Sequence, residues 1–287
     1  MTSEIPSELL NQVYQGKIED VLPRLPDESI DCIFADPDYN VGVSYQGKSY
    51  KQPFEEYIAW CVKWSEECCR VLKKNGNFFI INYPKNNAHL RVRYLDDNFA
   101  HVFEYVWAYR TNIGQGPKHF TTAHRTILHC VKSKNNKFYK DAVALPYQNP
   151  NDRRIKKLIA AGAKGRMPYS WFEFNLVKNV GVAKTFHSCQ IPESLSEMLF
   201  KATTKPGDNA LVLFAGSGSE LVVCKRLGLN FVSAEIEHAY VRIVEERLRR
   251  GGEVPTRYRM LTQIKARQRA KHVRSLDEPF GGKGRRD

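Results

Sequence analysis

Ala210-Leu-Val-Leu-Phe214-Ala-Gly216-Ser-Gly218-Ser219 is the stretch on which the reading of the fold turns. An apolar run of strand length meets a glycine turn, and helical spacing follows over Glu220–Leu227. A second strand, Phe231–Ala234, and a second helix, His238–Arg250, repeat the pattern. Strand and helix in alternation predict a parallel sheet. Glycines at the turn let the backbone come close to a ligand, and a helix start aims N–H groups at it. Glu235 stands at the end of the next strand, 17 positions after Gly218, where a carboxylate can grip a ribose diol. A nucleoside-containing cofactor fits. The third glycine of a dinucleotide fingerprint is absent, with Val222 near its place, which weakens the case for NAD. A Gly-Ser turn also serves as a plain strand-to-helix connection.

Upstream, Asp31-Cys-Ile-Phe-Ala35 reads as a buried strand that stops at Asp36-Pro37-Asp38-Tyr39. Apolar residues at Tyr57, Ile58, Cys61, Val62, Trp64, Cys68, Val71 and Leu72 predict a helix from Phe54, with Lys73-Lys74-Asn75-Gly76 as its basic end and glycine stop. Strands are expected at Phe78–Ile81, Val102–Tyr109 and Thr126–Val131, with a polar surface helix over Lys85–Asn98. Segment 134–185 is broken by Pro146, Pro150, Gly162, Gly165 and Pro168 and reads as an insertion, after which a helix near Glu193–Ala202 resumes the alternation. The expected architecture is a doubly wound, mostly parallel α/β sheet carrying a small basic insertion. Its units are 1–133, 134–185, 186–250 and a basic, mobile tail over 251–287.

The 287 residues, 42% of them hydrophobic, suffice for one full core plus a small module and exclude a collagen, a disordered chain or a disulfide-stapled miniprotein. Charge is unevenly spread. Residues 134–185 hold 11 Lys/Arg against 3 Asp/Glu, residues 251–287 hold 10 against 4, and the remainder is close to neutral. A neutral body with two basic segments is the layout of a domain that meets a polyanion. The seven cysteines contain no C-x-x-C pair, which fits free thiols in a reducing cytosol better than zinc. The N-terminus lacks the basic and apolar regions of a signal peptide, and no window approaches the ~18 apolar residues of a membrane span.

Asp36-Pro37-Asp38-Tyr39-Asn40 offers a carboxylate beside a proline-constrained carbonyl, and Tyr39 adds a flat face on which a base can stack. Two acceptors and a stacking face suit an exocyclic amine. Ordinary turn chemistry explains the same residues. The pairing of two such strand ends favours function, because open α/β sheets bind ligands outside the carboxyl ends of their strands. In the insertion, Arg153, Arg154, Lys156, Lys157, Lys164 and Arg166 can meet phosphates or guanine edges, and Tyr169 and Trp171 can stack or wedge. The competing reading is a solvated basic helix face. Trp60 and Trp64 read as packing residues, and His119, His124 and His129, five apart, do not form a one-face metal site.

Together these motifs resemble the S-adenosylmethionine-dependent DNA amino-methyltransferases. Asp36-Pro37-Asp38-Tyr39 is similar to their Asp-Pro-Pro-Tyr, and Phe214-Ala-Gly216-Ser-Gly218 to their Phe-x-Gly-x-Gly. Val71–Gly76 and His187-Ser188-Cys189-Gln190-Ile191-Pro192-Glu193 also match. The order, with the Asp-Pro motif first and a basic insertion between, resembles the circularly permuted beta group and implies a Rossmann-like methyltransferase fold. The resemblance implies that Asp36, Pro37, Asp38 and Tyr39 form the catalytic loop, with Asp36 and the Pro37 carbonyl accepting from the target amine. It implies that Phe214, Ala215, Gly216, Ser217, Gly218 and Glu235 bind S-adenosylmethionine and that His187, Ser188 and Gln190 lie near its methionine end. Three departures are Asp38 for a second proline, Val212-Leu213 for Asp-Pro, and Ile191 for lysine. The implied reaction is methylation of adenine N6 in duplex DNA by base flipping, since cytosine-N4 enzymes more often carry serine in place of the first aspartate. Cytosine N4, an RNA substrate and a noncatalytic DNA-binding role are the alternatives. Double-stranded DNA is the implied partner, in a prokaryotic or phage, nucleoid-associated cytoplasmic setting. No metal or membrane is implied, and a homodimer and a cognate restriction endonuclease stay open.

Overall fold

A computed structural model describes residues 4–45, 47–110, 118–179, 181–260 and 262–265. Its strands are β1 (Gln12–Gln15), β2 (Ile30–Ala35), β3 (Ser44–Tyr45), β4 (Lys48–Ser49), β5 (Leu72–Asn82), β6 (His101–Ala108), β7 (His124–Val131), β8 (Trp171–Glu173), β9 (Asn209–Val212) and β10 (Asn230–Glu235). Its helices are α1 (Ile18–Val21), α2 (Phe54–Val71), α3 (Pro84–Leu90), α4 (Asp96–Asn98), α5 (Arg153–Ala160), α6 (Glu193–Thr203), α7 (Ser219–Arg226) and α8 (His238–Arg249). Eight strands form one sheet in the order β1-β10-β9-β2-β5-β7-β6-β8, while β3 and β4 make a separate hairpin. Every pair from β1 to β5 is parallel, and β7 runs antiparallel to both its neighbours. The expected α/β architecture is therefore present, with β7 as the exception to the parallel rule.

The sheet order has a functional consequence. β1 and β2 are consecutive in the chain, yet β10 and β9 sit between them. The last two strands thus lie between the first two, and the strand order reverses there, which is where an open α/β sheet binds its ligand. All six residues of β2 are buried because helices cover both faces. Ile33 and Ala35 point to the layer with α2, and Cys32 and Phe34 to the layer with α6 and α7. Burial of each large apolar side chain here contributes about 1.5–3 kcal/mol.

Some local expectations change. Lys73–Gly76 is the opening of β5 rather than a helix end, since α2 stops at Val71 and Leu72 already pairs with Ile30. The Lys85–Asn98 region is helical but not superficial: Asn86, Asn87, Leu90 and Leu95 are buried, and Asn87 donates to Thr126. Segment 134–185 is tied to the sheet at both ends. Lys137 bridges the buried Asp31 and Asp208 at 2.8 and 2.7 Å, and β8 adds to β6 as the edge strand. The two carboxylates, both facing its ammonium, hold Lys137 up to about 12 against the cost of burial. Residues 251–260 contact the body of the protein: Arg257 pairs with Glu246, and the backbone N–H groups of Phe186 and Met260 donate to Tyr258 and Lys184. The rest of the expected tail, from 266 on, lies outside the described residues. All seven cysteines are free thiols, and no described helix is long and apolar enough to cross a membrane.

Candidate active site

Four parallel strands end at one cavity of about 470 Å³. β1 contributes Gly16 to it, β10 Glu235, β9 Leu213 and Phe214 through the loop that follows, and β2 Asp36. The two segments singled out in the sequence, 178 positions apart between Asp36 and Phe214, therefore face the same space.

The glycine turn is shaped by its backbone. Gly216 and Gly218 have φ of +50° and +77°, which a side chain would strain. A Cβ on Gly216 would stand 3.1 Å from His187 Nε2, and one on Gly218 would stand 2.9 Å from Val244 of α8. Gly216 thus lets the turn lie against the His187 ring at the cavity wall, whereas Gly218 precedes α7 and permits close helix packing. Gly218 does not line the cavity, while Phe214, Ala215, Gly216 and Ser217 do. Glu235 accepts from the backbone N–H of Gly216 and of Glu237, both at 2.8 Å, and desolvation still lifts it to about 6.

The Asp36–Asn40 loop is held by its neighbours. Asp38 Oδ1 accepts from Asn40 N at 2.8 Å, an Asx turn that constrains the loop where the family pattern would have a proline. Tyr57 Oη donates to the Asp38 carbonyl at 2.7 Å, Asn86 to the Tyr39 carbonyl at 2.9 Å, and Asn40 and Gln52 bond reciprocally. Asp36 is desolvated, and the carboxylate of Glu220 adds to that, so its carboxyl sits well above the ordinary range despite a hydrogen bond from Tyr39 Oη at 2.5 Å. Tyr39 departs from the expected stacking role. Its ring is buried against Tyr83, under the Arg125 guanidinium, and does not line the cavity.

His187 lines the cavity, and burial pushes it down to about 3, so its ring is neutral. Ser188 and Gln190, expected beside it, turn elsewhere. Ser188 donates to the Ser44 carbonyl, and Gln190 braces Thr185 and Ala183. The intervening Cys189 and Ile191 line the cavity instead. Ser188 and Cys189 form a turn, and it leaves His187, Cys189 and Ile191 facing inward. Lys184, buried and lowered to about 8 by desolvation, donates to the carbonyls of His187 and Ser188 and so fixes this loop.

Several wall residues carried no signal in the sequence. β1 is a four-residue polar strand, so Gly16, Lys17 and Glu19 beyond it were invisible to apolar periodicity. The β3–β4 hairpin brings Tyr45 and Tyr50 over the cavity, held by Lys48 and Tyr50, which donate to Glu237 at 2.8 and 2.5 Å. Trp64 is core as expected, but Trp60 lines the cavity and donates to Glu19. Glu220 is buried on the far wall and raised to about 7. The wall thus carries Glu19, Asp36, Asp38, Glu220, Glu235 and Glu237 against Lys17 alone, in a protein whose net charge is +13. Asp38 Oδ2 and His187 Nδ1 are buried there with no hydrogen-bond partner among the described residues. Acidic walls and unpaired polar atoms suit a cationic, polar ligand.

Arg153, Arg154, Lys156 and Lys157 all lie exposed on α5, which Asp152 caps by accepting from two backbone N–H groups. Lys164 is exposed and Arg166 half-buried in the following turn. Among the described residues no cluster of three or more His, Cys, Asp or Glu can hold a metal ion.

A sequence profile of the N6/N4 DNA methylases matches residues 30–246, spanning both strand ends of the cavity. The chain belongs to the DNA methylase family. Among its relatives, the type II methyltransferase M.BglII of Bacillus subtilis is 32% identical over 257 residues, covering 84% of this chain and 69% of that one. The DNA adenine methyltransferase YhdJ of Escherichia coli K12 is 31% identical over 234 residues, 79% of each chain. Of solved structures, the cytosine-N4-specific PvuII DNA methyltransferase superposes with a TM-score of 0.62 at 17% identity, over 82% of this chain and 85% of that one. The M1.HpyAVI–SAM complex gives 0.59 at 20% identity, over 83% and 98%. At such identities the structures establish the methyltransferase fold. This DNA methylase is thus an enzyme of the N6/N4 amino-methyltransferase class.

Proposed function

We propose that this methylase transfers the methyl of S-adenosylmethionine to the N6 amine of adenine within a short duplex DNA sequence, after the base has been turned out of the helix. The observation that carries the reading is that Asp36 and the Gly216 turn wall one acidic cavity at the point where the strand order reverses. S-adenosylmethionine supplies an electrophilic sulfonium methyl, and its two positive centres match the carboxylate-rich wall. Glu235 would hold the ribose hydroxyls through lone pairs left free by its two backbone bonds. Gly216, which carries no side chain in the cavity wall, would let the backbone approach, and the unpaired His187 Nδ1 would face the polar end.

An aromatic amine is a weak nucleophile because its lone pair is delocalised into the ring. Asp36 and the Pro37 carbonyl would accept its two N–H bonds, favour a pyramidal nitrogen and stabilise the positive charge that grows on it. Tyr39, donating to Asp36, would orient that carboxylate rather than offer a stacking face. Trp60 and Tyr57 are among the aromatic rings that line the same cavity. The basic α5 would meet phosphates and hold the duplex while the base is out of the stack, a step that costs a few kcal/mol.

Adenine is preferred over cytosine because an aspartate opens the loop and because a 31%-identical relative is named an adenine methyltransferase. Single-base sequencing of genomic DNA from cells with and without the gene tests this. A motif bearing N6-methyladenine only when the gene is present is the expected result. N4-methylcytosine in its place would reverse the base assignment, and no difference would overturn DNA methylation. Asp36→Ala should abolish the mark while leaving DNA binding intact.

A further inference from the structure

β7 is the strand that breaks the parallel pattern, and the break brings a cation to the ligand edge of the sheet. Because β7 runs antiparallel to β5, pairing Thr126 with Asn82, its first residues lie beside the carboxyl end of that strand. Arg125 stands there. Alternation along β7 puts it on the face of Ile127, the layer that holds Trp107 and Tyr109, and not on the face of Leu128 and Cys130.

The guanidinium is packed among phenol rings. It lies 3.9 Å from the centroid of Tyr83, 5.1 Å from that of Tyr39 and 5.4 Å from that of Tyr109. It donates to the Tyr109 hydroxyl and, at 3.1 Å, to the His124 carbonyl. Tyr39 and Tyr83 meet edge to face with centroids 5.3 Å apart, so the cation and the Tyr83 ring together fix where the Tyr39 ring sits. The contacts run on to the reacting loop, since Tyr39 Oη donates to Asp36 Oδ1 at 2.5 Å. Asp36 lines the cavity, while Arg125 and Tyr39 do not, so the cation reaches the carboxylate from behind. A cation against a phenol ring also makes the O–H a stronger donor.

Several groups bear on Asp36. Desolvation raises its carboxyl; the Tyr39 hydrogen bond and the Arg125 charge oppose that, while Glu220 of α7 and Asp38 of the same loop add to it. Tyr45 of β3 and Cys189 of the loop before α6 face it as well. We infer that Arg125 is a positioning residue for methyl transfer, holding the Tyr39 phenol against Asp36 and, through that hydrogen bond, keeping the carboxylate charged and turned toward the target amine. The role in transfer rests on the reading of Asp36 as the acceptor of that amine.

The test pairs a titration of the free protein with a pH–rate profile. Carbon-13 in the aspartate carboxyls of the full chain, with the Asp36 signal assigned by its loss in Asp36→Asn, reads the titration directly. In Arg125→Met the Asp36 midpoint should move up by about 1 on the pH scale, with the other aspartate signals in place, and in Arg125→Lys, which keeps the charge, it should stay close to wild type. In a Tyr39→Phe background Arg125→Met should move it by less than half as much, because the phenol hydroxyl is the link. Transfer of labelled methyl to DNA from cells lacking the gene should show the acid limb of kcat moving up with the midpoint, kcat at pH 7 falling ~10-fold, and KM for S-adenosylmethionine unchanged. A midpoint unmoved in Arg125→Met, moved as far by Arg125→Lys, or moved equally with and without the Tyr39 hydroxyl would overturn the inference and leave the methylase reading standing. A wild-type protein that moves no methyl to that DNA would overturn the reading on which the role in transfer rests, whatever the Asp36 titration shows.

Discussion

Glu220 gives the sharpest quantitative handle on the cavity. It is buried, accepts a long 3.4 Å hydrogen bond from Ser196, and is raised from 4.5 to about 7, chiefly by desolvation. A carboxyl raised in the folded state binds its proton more tightly there than in the unfolded chain. Stability from this group is therefore intact below about pH 4.5 and falls as pH rises through about 7. The gap between 4.5 and about 7, at about 1.4 kcal/mol per pH unit, amounts to about 3 kcal/mol at pH 8. Glu220→Gln removes the charge with little change of shape, and Arg247 keeps its 2.5 Å partner Glu193. At roughly 2–4 °C per kcal/mol for a chain of this size, Tm at pH 8 should rise by roughly 6–12 °C. At pH 4.5 the two proteins should melt together. Glu220 also raises Asp36, so the acid limb of methyl transfer should move to lower pH in the variant. Differential scanning calorimetry across pH 4.5–8 reads the first effect and a pH–rate profile the second. An equal Tm offset at both pH values, or a loss at pH 8, would refute the assignment of a buried charge.

Further outcomes follow from the same geometry. Gly218→Ala should cost ~1–3 kcal/mol by denaturant unfolding, because its Cβ meets Val244 at 2.9 Å in a left-handed backbone. Gly216→Ala should weaken S-adenosylmethionine binding by calorimetry, since its Cβ would press at 3.1 Å on His187, which lines the same cavity. Arg153→Ala with Arg154→Ala should weaken DNA binding and flatten its salt dependence by about two phosphate contacts, measured as the slope of log K on log salt. Phe200→Ala, fully buried in the α6 layer, should lower stability by about 3–5 kcal/mol without altering the cavity wall.

Much of the site was legible because its elements carry strong local signatures. Ala210–Phe214 and Asp31–Ala35 are uninterrupted apolar runs, and proline or positive-φ glycine must follow where such strands break into ligand loops. Glu235 was placed by the same logic, as the residue that ends a buried strand. Gly16 to Glu19 were not, because β1 is short and polar and owes its strand conformation to pairing with β10. Nor was the inward-facing choice of Cys189 and Ile191 over Ser188 and Gln190, since the phase of a loop depends on anchors such as Lys184 and Thr185 rather than on its own composition.

The amino-acid sequence by itself determined the alternation of strand and helix, the two ligand loops, the basic insertion and the family, all of which rest on local pattern and spacing. The tertiary structure alone decided that Asp36 and Gly216 share one cavity, that its wall is acidic, and that Tyr39 lies behind Asp36. The physical reason is the same in each case. Which side chains meet is set by strand order and register, and those follow from burying both sheet faces at once across segments far apart in the chain.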